Sequence, residues 1–143
     1  MREENTNLKK LIIDASFLLS FLFPDEGNKN LENSIDLNSY SCITSPLLDF
    51  EILNALQSSV RRKRISEKAR KELEILFFQV PIERIELKRS DFYHISDLAS
   101  KTQLTIYDCS YLYLAFREKA ILASFDNELL KEAKKRNISV WLV

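Results

Sequence analysis

Short apolar runs alternate with longer amphipathic segments along most of this 143-residue chain. Runs of that length are typical of buried strands, and amphipathic segments are typical of helices that cover a core. Strands that alternate with helices favour a parallel sheet with helices on both faces. The pattern therefore predicts an α/β fold, and the chain length corresponds to one domain.

The predicted elements follow one another closely. Strands are predicted at residues 8–14, 40–44, 82–87, 121–125 and 139–143. Helices are predicted at residues 16–23, 26–35, 46–61, 66–78, 90–102, 105–116 and 127–136. Ser45 and Pro46 are a strong helix start, because serine caps a helix well and proline fits its first position.

Scarce residue types exclude several kinds of site. The one glycine, Gly27, excludes phosphate-binding loops that need several glycines. The one histidine, His94, and two cysteines, Cys42 and Cys109, cannot build the usual four-ligand zinc site, and they imply no disulfide framework. His94 is predicted to be a half-buried helical residue. Lysines plus arginines equal aspartates plus glutamates at 21 each, so no overall basic field attracts nucleic acid.

The segment KKLIIDASFLLSFLF combines lysines with an apolar stretch, as a signal peptide does. Asp14 interrupts the stretch, acids mix with bases before it, and no small-residue cleavage site follows. The segment is also too short and too charged to span a bilayer. We therefore expect a cytoplasmic protein with no membrane association, in which residues 1–7 are a disordered extension and residues 8–143 form a single domain.

Four carboxylates stand where they can meet beyond the carboxyl edge of the sheet, which is where ligands bind in such folds. Asp14 ends the first strand, Asp126 follows the strand at 121–125, and Asp108 lies at the start of an apolar helix. Glu51 lies on a helix face whose neighbours are mostly apolar. Four close carboxylates repel one another and need a counter-charge. A hard divalent cation such as Mg²⁺, which prefers oxygen ligands, would supply it.

Three of these acids also have a purely structural explanation. Asp14 and Asp126 can cap the helices that follow them, a role that contributes about 1 kcal/mol. Asp108 can be the third residue of a helix that Thr105 caps. No cap explains Glu51, which is predicted to lie mid-helix among leucines, whereas Asp49 falls on a different face and is predicted to be solvated. Both interpretations stay open for the other three acids.

Two other folds with acids at strand ends fit less well. A receiver-type phospho-acceptor domain needs an acidic pair after the first strand, and IIDAS lacks it. A phosphatase of the haloacid dehalogenase type needs Asp-x-Asp there, and Ser16 stands where the second aspartate should be.

Four segments, in this order, resemble the PIN-domain family and, within it, the VapC-type toxins: LIIDASFLLSFL, TSPLLDFEILNAL, YDCSYLYLA and ASFDNELLKEAKKRNISV. The resemblance runs from residue 8 to the C terminus and implies a three-layer α/β/α sandwich with a central, mainly parallel sheet. The family's catalytic, metal-binding acids match Asp14, Glu51, Asp108 and Asp126. The supporting hydroxyl positions near the first and last acids match Ser16 and Ser124. Arg136 and Asn137 replace the glycine that often separates the last helix from the last strand.

The activity implied by the resemblance is that of the toxin in a type II toxin–antitoxin system. Such a protein is an endoribonuclease that hydrolyses RNA phosphodiester bonds with metal-activated water. The implied cofactor is Mg²⁺, with Mn²⁺ able to substitute, and the implied partners are RNA, a small VapB-like antitoxin and a second copy of the chain. The alternatives are a PIN nuclease of RNA processing without an antitoxin, and a catalytically silent PIN fold that acts as a binding module.

The only dense basic run consists of Arg61, Arg62, Lys63 and Arg64. Cations at the end of a helix complement its dipole, and this structural explanation is the favoured one. The functional alternative is a contact with the RNA backbone, since phosphate contacts dominate nucleic-acid affinity.

Overall fold

The computed structural model describes residues 8–23 and 36–141. Within these ranges the strands are β1 (Lys9–Ile13), β2 (Tyr40–Thr44), β3 (Glu83–Arg84) and β4 (Ile121–Ala123). The α-helices are α1 (Ala15–Leu22), α2 (Leu48–Arg61), α3 (Glu67–Gln79), α4 (Arg89–Ser100), α5 (Ile106–Arg117) and α6 (Asn127–Lys135). A short 3₁₀ helix, Leu37–Ser39, precedes β2. The predicted extension at 1–7 and the predicted helix at 26–35 lie outside the described residues.

The four strands form one sheet in the order β3-β2-β1-β4, and every neighbouring pair is parallel. Leu11 of β1 lies opposite Cys42 of β2, and Ile12 lies opposite Leu122 of β4. Parallel strands all end at the same edge of the sheet, so the residues that follow β1 and β4 meet there. The predicted α/β fold with a parallel central sheet is confirmed.

Alternate residues of β1 point into two separate cores. Leu11 and Ile13 are fully buried against α1, α2 and α3. Ile12, between them, is fully buried against α5 and α6. Each fully buried side chain of this size contributes about 1.5–3 kcal/mol. Helices therefore cover both faces of the sheet, which makes the three layers of an α/β/α sandwich.

Several predicted elements differ from the structure. The strand predicted at 121–125 ends at Ala123, and the helix predicted at 90–102 ends at Ser100. Helix α2 begins at Leu48 rather than at residue 46. The Oγ of Ser45 accepts the N–H of Leu47 at 3.2 Å, and this hydrogen bond closes a turn before the helix begins. The strand predicted at 82–87 is only Glu83–Arg84, since β3 is an edge strand that pairs with the last two residues of β2. In the described part of 139–143, the strand is reduced to one parallel bridge between Leu122 and Val140.

Helix α5 has six buried residues, more than any other helix in the described ranges. It is capped by Thr105, whose side-chain oxygen accepts the N–H of Asp108 at 3.1 Å. None of the helices in the described ranges is long and apolar enough to cross a membrane.

Candidate active site

Asp14 follows β1 at the carboxyl edge of the sheet, and only 4% of its surface is exposed. It caps α1, since its Oδ1 accepts the N–H of Phe17 at 2.9 Å. The hydroxyl of Ser16 donates to Oδ1 at 2.7 Å, and the hydroxyl of Ser124 donates to Oδ2 at 2.5 Å. Burial outweighs these three hydrogen bonds and raises the pKa of Asp14 to about 6. Asp14 is therefore both a helix cap and a carboxylate that ionises at a cost.

Ser16 and Ser124 connect the start of α1 to the loop after β4. The Oγ of Ser16 accepts the N–H of Phe125 at 3.0 Å, and the Oγ of Ser124 accepts the N–H of Asp126 at 3.0 Å. The two hydroxyl oxygens lie 3.3 Å apart. Because each hydroxyl accepts a backbone N–H while it donates to Asp14, the network fixes the orientation of that carboxylate.

Glu51 lies in the first turn of α2 and is half-buried. The prediction that it lies mid-helix is wrong, because the helix begins two residues later than predicted. A carboxylate in the first turn is favoured by the helix dipole. Burial nevertheless raises its pKa, and the nearby charge of Asp108 raises it further.

A tyrosine that the sequence pattern did not single out contacts Glu51. The phenol hydroxyl of Tyr111 donates to Glu51 Oε1 at 2.7 Å, and this hydrogen bond opposes the rise in the pKa of Glu51. Tyr111 lies three residues after Asp108 on α5, so the two side chains share one side of the helix. That spacing is the signal in the sequence that could have identified it.

Asp108 and Asp126 complete the group of acids. Asp108 is half-buried, burial raises the pKa of its carboxyl group, and the charge of Asp126 raises it further. Asp126 caps α6, because its Oδ1 accepts the N–H of Glu128 at 3.0 Å and that of Leu129 at 3.2 Å. Asp14 and Asp126 therefore do cap the helices that follow them, as one of the two interpretations predicts.

The four acids form a row of neighbouring negative charges. Glu51 acts on the pKa of Asp14, Asp108 on that of Glu51, and Asp126 on that of Asp108. Among the residues that the structure describes, no lysine or arginine forms an ion pair with any of the four. A bound cation would therefore lower the electrostatic free energy of this edge of the sheet.

The donor chemistry fits a hard divalent cation, since the row offers only carboxylate and hydroxyl oxygens. The side chains do not form a ready coordination shell, however. In residues 8–23 and 36–141, no group of three histidine, cysteine, aspartate or glutamate side chains is arranged so that it could hold a metal ion. The tertiary structure thus brings the four predicted acids to one edge without gathering them around one point.

The basic run lies at the opposite end of α2 from Glu51. Arg61 is ten residues further along the helix, which corresponds to about 15 Å. All four basic residues are exposed. Arg62 and Arg64 line a cavity of about 190 Å³ together with residues of α1 and α2.

Two predictions about other residues are wrong. Asp49 is not simply solvated, because its Oδ1 accepts a hydrogen bond from Nη2 of Arg84 at 2.8 Å in an ion pair. His94 is exposed on α4 rather than half-buried, and its ring stacks on that of Tyr113 with 5.8 Å between the centroids.

The sequence matches the family model of the PIN domain over residues 11–135, a range that includes all four acids. No curated protein matches the sequence.

Several solved structures share the fold. PAE2754 from Pyrobaculum aerophilum is 20% identical with a TM-score of 0.69, over 98% of this chain and 88% of that one. VapC20 from Mycobacterium tuberculosis, a toxin that cleaves the sarcin–ricin loop, is 11% identical with a TM-score of 0.64, over 85% of this chain and 94% of that one. VapBC-1 from nontypeable Haemophilus influenzae is 12% identical with a TM-score of 0.62, over 92% of this chain and 96% of that one. At these identities the similarity establishes the fold.

Proposed function

The chain belongs to the PIN domain family, and from this premise we propose that it is a metal-dependent endoribonuclease, the toxin of a toxin–antitoxin pair. PIN domains are generally nucleases. The observation that carries the proposal is the row of four acids, which lies at the carboxyl edge of the sheet without an ion-paired lysine or arginine among the described residues. The catalytic unit in this proposal is a single domain at residues 8–143.

The residues that would hold the cation are Asp14, Glu51, Asp108 and Asp126. A bound Mg²⁺ or Mn²⁺ supplies a water of lowered pKa and neutralises charge on phosphoryl oxygens. Asp14 is the deepest of the four, and the hydroxyls of Ser16 and Ser124 orient its carboxylate. The other three acids are more exposed, so an RNA phosphate can approach from their side.

Electrostatics supports a requirement for the cation. An RNA phosphate would bring another negative charge to the four acids. Burial already raises the pKa of Asp14, Glu51 and Asp108, and the charge of a neighbouring acid raises each of them further. Two like charges close to a protein surface repel by several kcal/mol, so without a cation the substrate would be rejected. The site also needs no histidine, since the carboxylates would hold the cation and the cation would supply the activated water.

The toxin part of the proposal draws on relatives of the same fold. VapC20 is a toxin that cleaves the sarcin–ricin loop, and VapBC-1 is a further VapC-type structure. By analogy, this chain would pair with a small VapB-like antitoxin and with a second copy of itself. Growth arrest on expression, relieved by a small protein encoded beside this chain, would support the toxin over a nuclease of RNA processing.

RNA cleavage by the purified protein tests the proposal. We expect cleavage with Mg²⁺ or Mn²⁺, none with excess EDTA, and a loss of at least about 100-fold in Asp108→Asn, since removal of a metal-binding charge removes transition-state stabilisation. The matched control is Asp97→Asn, which neutralises an exposed aspartate on α4. Cleavage that survives EDTA or Asp108→Asn would refute the proposed site. If wild type binds a divalent cation and RNA but cuts none of the RNAs tested, the result favours the silent binding module or a nuclease with a narrow choice of substrate.

A further inference from the structure

The hydroxyl of Tyr111 contacts one of the four acids and is affected by the charge of two others. It donates to Glu51 Oε1 at 2.7 Å. Burial raises the pKa of Tyr111, and the charges of Glu51, Asp14 and Asp108 raise it further. The tyrosine is only 1% exposed and belongs to the core between the sheet and α5. Its hydroxyl is thus a fixed hydrogen-bond donor inside a group of negative charges.

We propose that Tyr111 is a positioning residue, which holds the Glu51 carboxylate beside the other acids, where it would bind the divalent cation. The inference rests on the proposed function. It concerns a contact between α2 and α5, two helices that each carry one of the acids and whose contact residues lie 60 positions apart in the chain.

The physical reason lies in the forces on Glu51. Its side chain has three rotatable bonds, it begins at a half-buried position, and the charge of Asp108 repels it. Without a donor, the carboxylate would lower its free energy by turning toward water and away from Asp108. The Tyr111 ring cannot move with it, because the ring is packed in the core. The hydrogen bond therefore opposes the repulsion and keeps Glu51 beside the other acids.

Groups that hydrogen-bond to metal-binding side chains commonly have this effect. Their removal lowers metal affinity or activity by about 10- to 100-fold, although they never touch the metal. A tyrosine with only a structural role would instead change stability and leave the affinity for the cation unchanged.

The chain offers a matched control two residues further along the same helix. Tyr113 also donates its hydroxyl to a carboxylate, Oδ1 of Asp91, at 2.5 Å. That carboxylate lies at the start of α4 in an ion pair with Arg117, and it is not one of the four acids. Tyr113→Phe therefore removes the same kind of hydrogen bond from the same helix outside the site.

Isothermal titration of Mn²⁺ into the metal-free protein tests the inference. We expect Tyr111→Phe to weaken Mn²⁺ binding by about 10-fold or more, and Tyr113→Phe to change it by less than about twofold. In a Glu51→Gln background, Tyr111→Phe should weaken Mn²⁺ binding further by less than about twofold, because Tyr111 acts on the cation only by orienting Glu51. The phenylalanine keeps the buried ring, and circular dichroism with the thermal midpoint verifies that each variant folds.

The outcomes separate the two proposals. If wild type binds Mn²⁺ and Tyr111→Phe binds it equally well, the positioning role is overturned and the proposed function stands. The role is also overturned if Tyr113→Phe weakens binding as much, or if Tyr111→Phe has its full effect in the Glu51→Gln background. If wild type itself binds no Mn²⁺, the proposed function fails and the positioning role fails with it.

Discussion

Asp14→Asn is expected to make the metal-free protein more stable at neutral pH. Asp14 is 4% exposed, and burial raises the pKa of its carboxyl group from 3.8 to about 6. Above that pH Asp14 is ionised in the folded chain, where burial makes the charge less favourable than it is in the unfolded chain. Because one pKa unit corresponds to about 1.4 kcal/mol, ionised Asp14 destabilises the folded state by about 3 kcal/mol.

The pH dependence follows from the direction of this change in pKa. The folded state binds the proton more tightly than the unfolded state does, so Asp14 contributes most to stability below about pH 4. This contribution falls as the pH rises from about 4 to about 6, and it stays constant at higher pH. Asparagine is neutral throughout this range, so the variant lacks this dependence.

Asparagine can keep most of the hydrogen bonds of Asp14. Its amide oxygen can accept from the N–H of Phe17 and the hydroxyl of Ser16, as Oδ1 of Asp14 does. Its NH₂ group can donate to the Ser124 oxygen if that hydroxyl turns. If this hydrogen bond is lost, the increase in the stability of the variant is smaller. We therefore expect the free energy of unfolding of Asp14→Asn to exceed that of wild type by about 1–3 kcal/mol at pH 7.

Urea denaturation of both proteins in EDTA, at one-unit steps from pH 4 to 8, measures the difference. The gain should be near zero at pH 4, grow to about pH 6 and then level off, whereas the exposed-site variant Asp97→Asn should follow wild type. An Asp14→Asn protein that is no more stable than wild type at pH 7, or whose advantage does not grow with pH, would refute the reasoning. Added Mg²⁺ should stabilise wild type more than the variant.

Two further expectations concern residues around the acids. Ser124→Ala removes a donor to Asp14 and the acceptor of the Asp126 N–H, so urea denaturation should report a loss of about 1–3 kcal/mol, whereas equal stability would show that the network contributes nothing. Arg61→Gln combined with Arg64→Gln should leave the salt dependence of RNA binding unchanged, because the run begins about 15 Å along α2 from Glu51. A fall of about 1 in the slope of log K against log salt for each arginine would instead show phosphate contacts.

The sequence by itself determined the elements and their order. The strand at 40–44 was predicted at its observed bounds, and β1, α1, α3 and α6 were predicted to within one residue at each end. These features depend on neighbours in the chain: apolar periodicity marks the buried face of an element, and caps such as Ser66 satisfy the first N–H groups of a helix. The positions of Asp14 and Asp126 after strands followed from the same local signals.

Tertiary structure decided what depends on packing between distant segments. The contact of Tyr111 with Glu51 spans 60 positions, and that of Ser124 with Asp14 spans 110. The pairing of Asp49 with Arg84 and the short β3 likewise depend on how the edge of the sheet packs. A residue's type limits which hydrogen bonds and ion pairs it can form, but burial and the position of its partner decide which ones form. Local pattern therefore placed the acids on their elements, and only the fold determined that they share one edge and which hydroxyls hold them there.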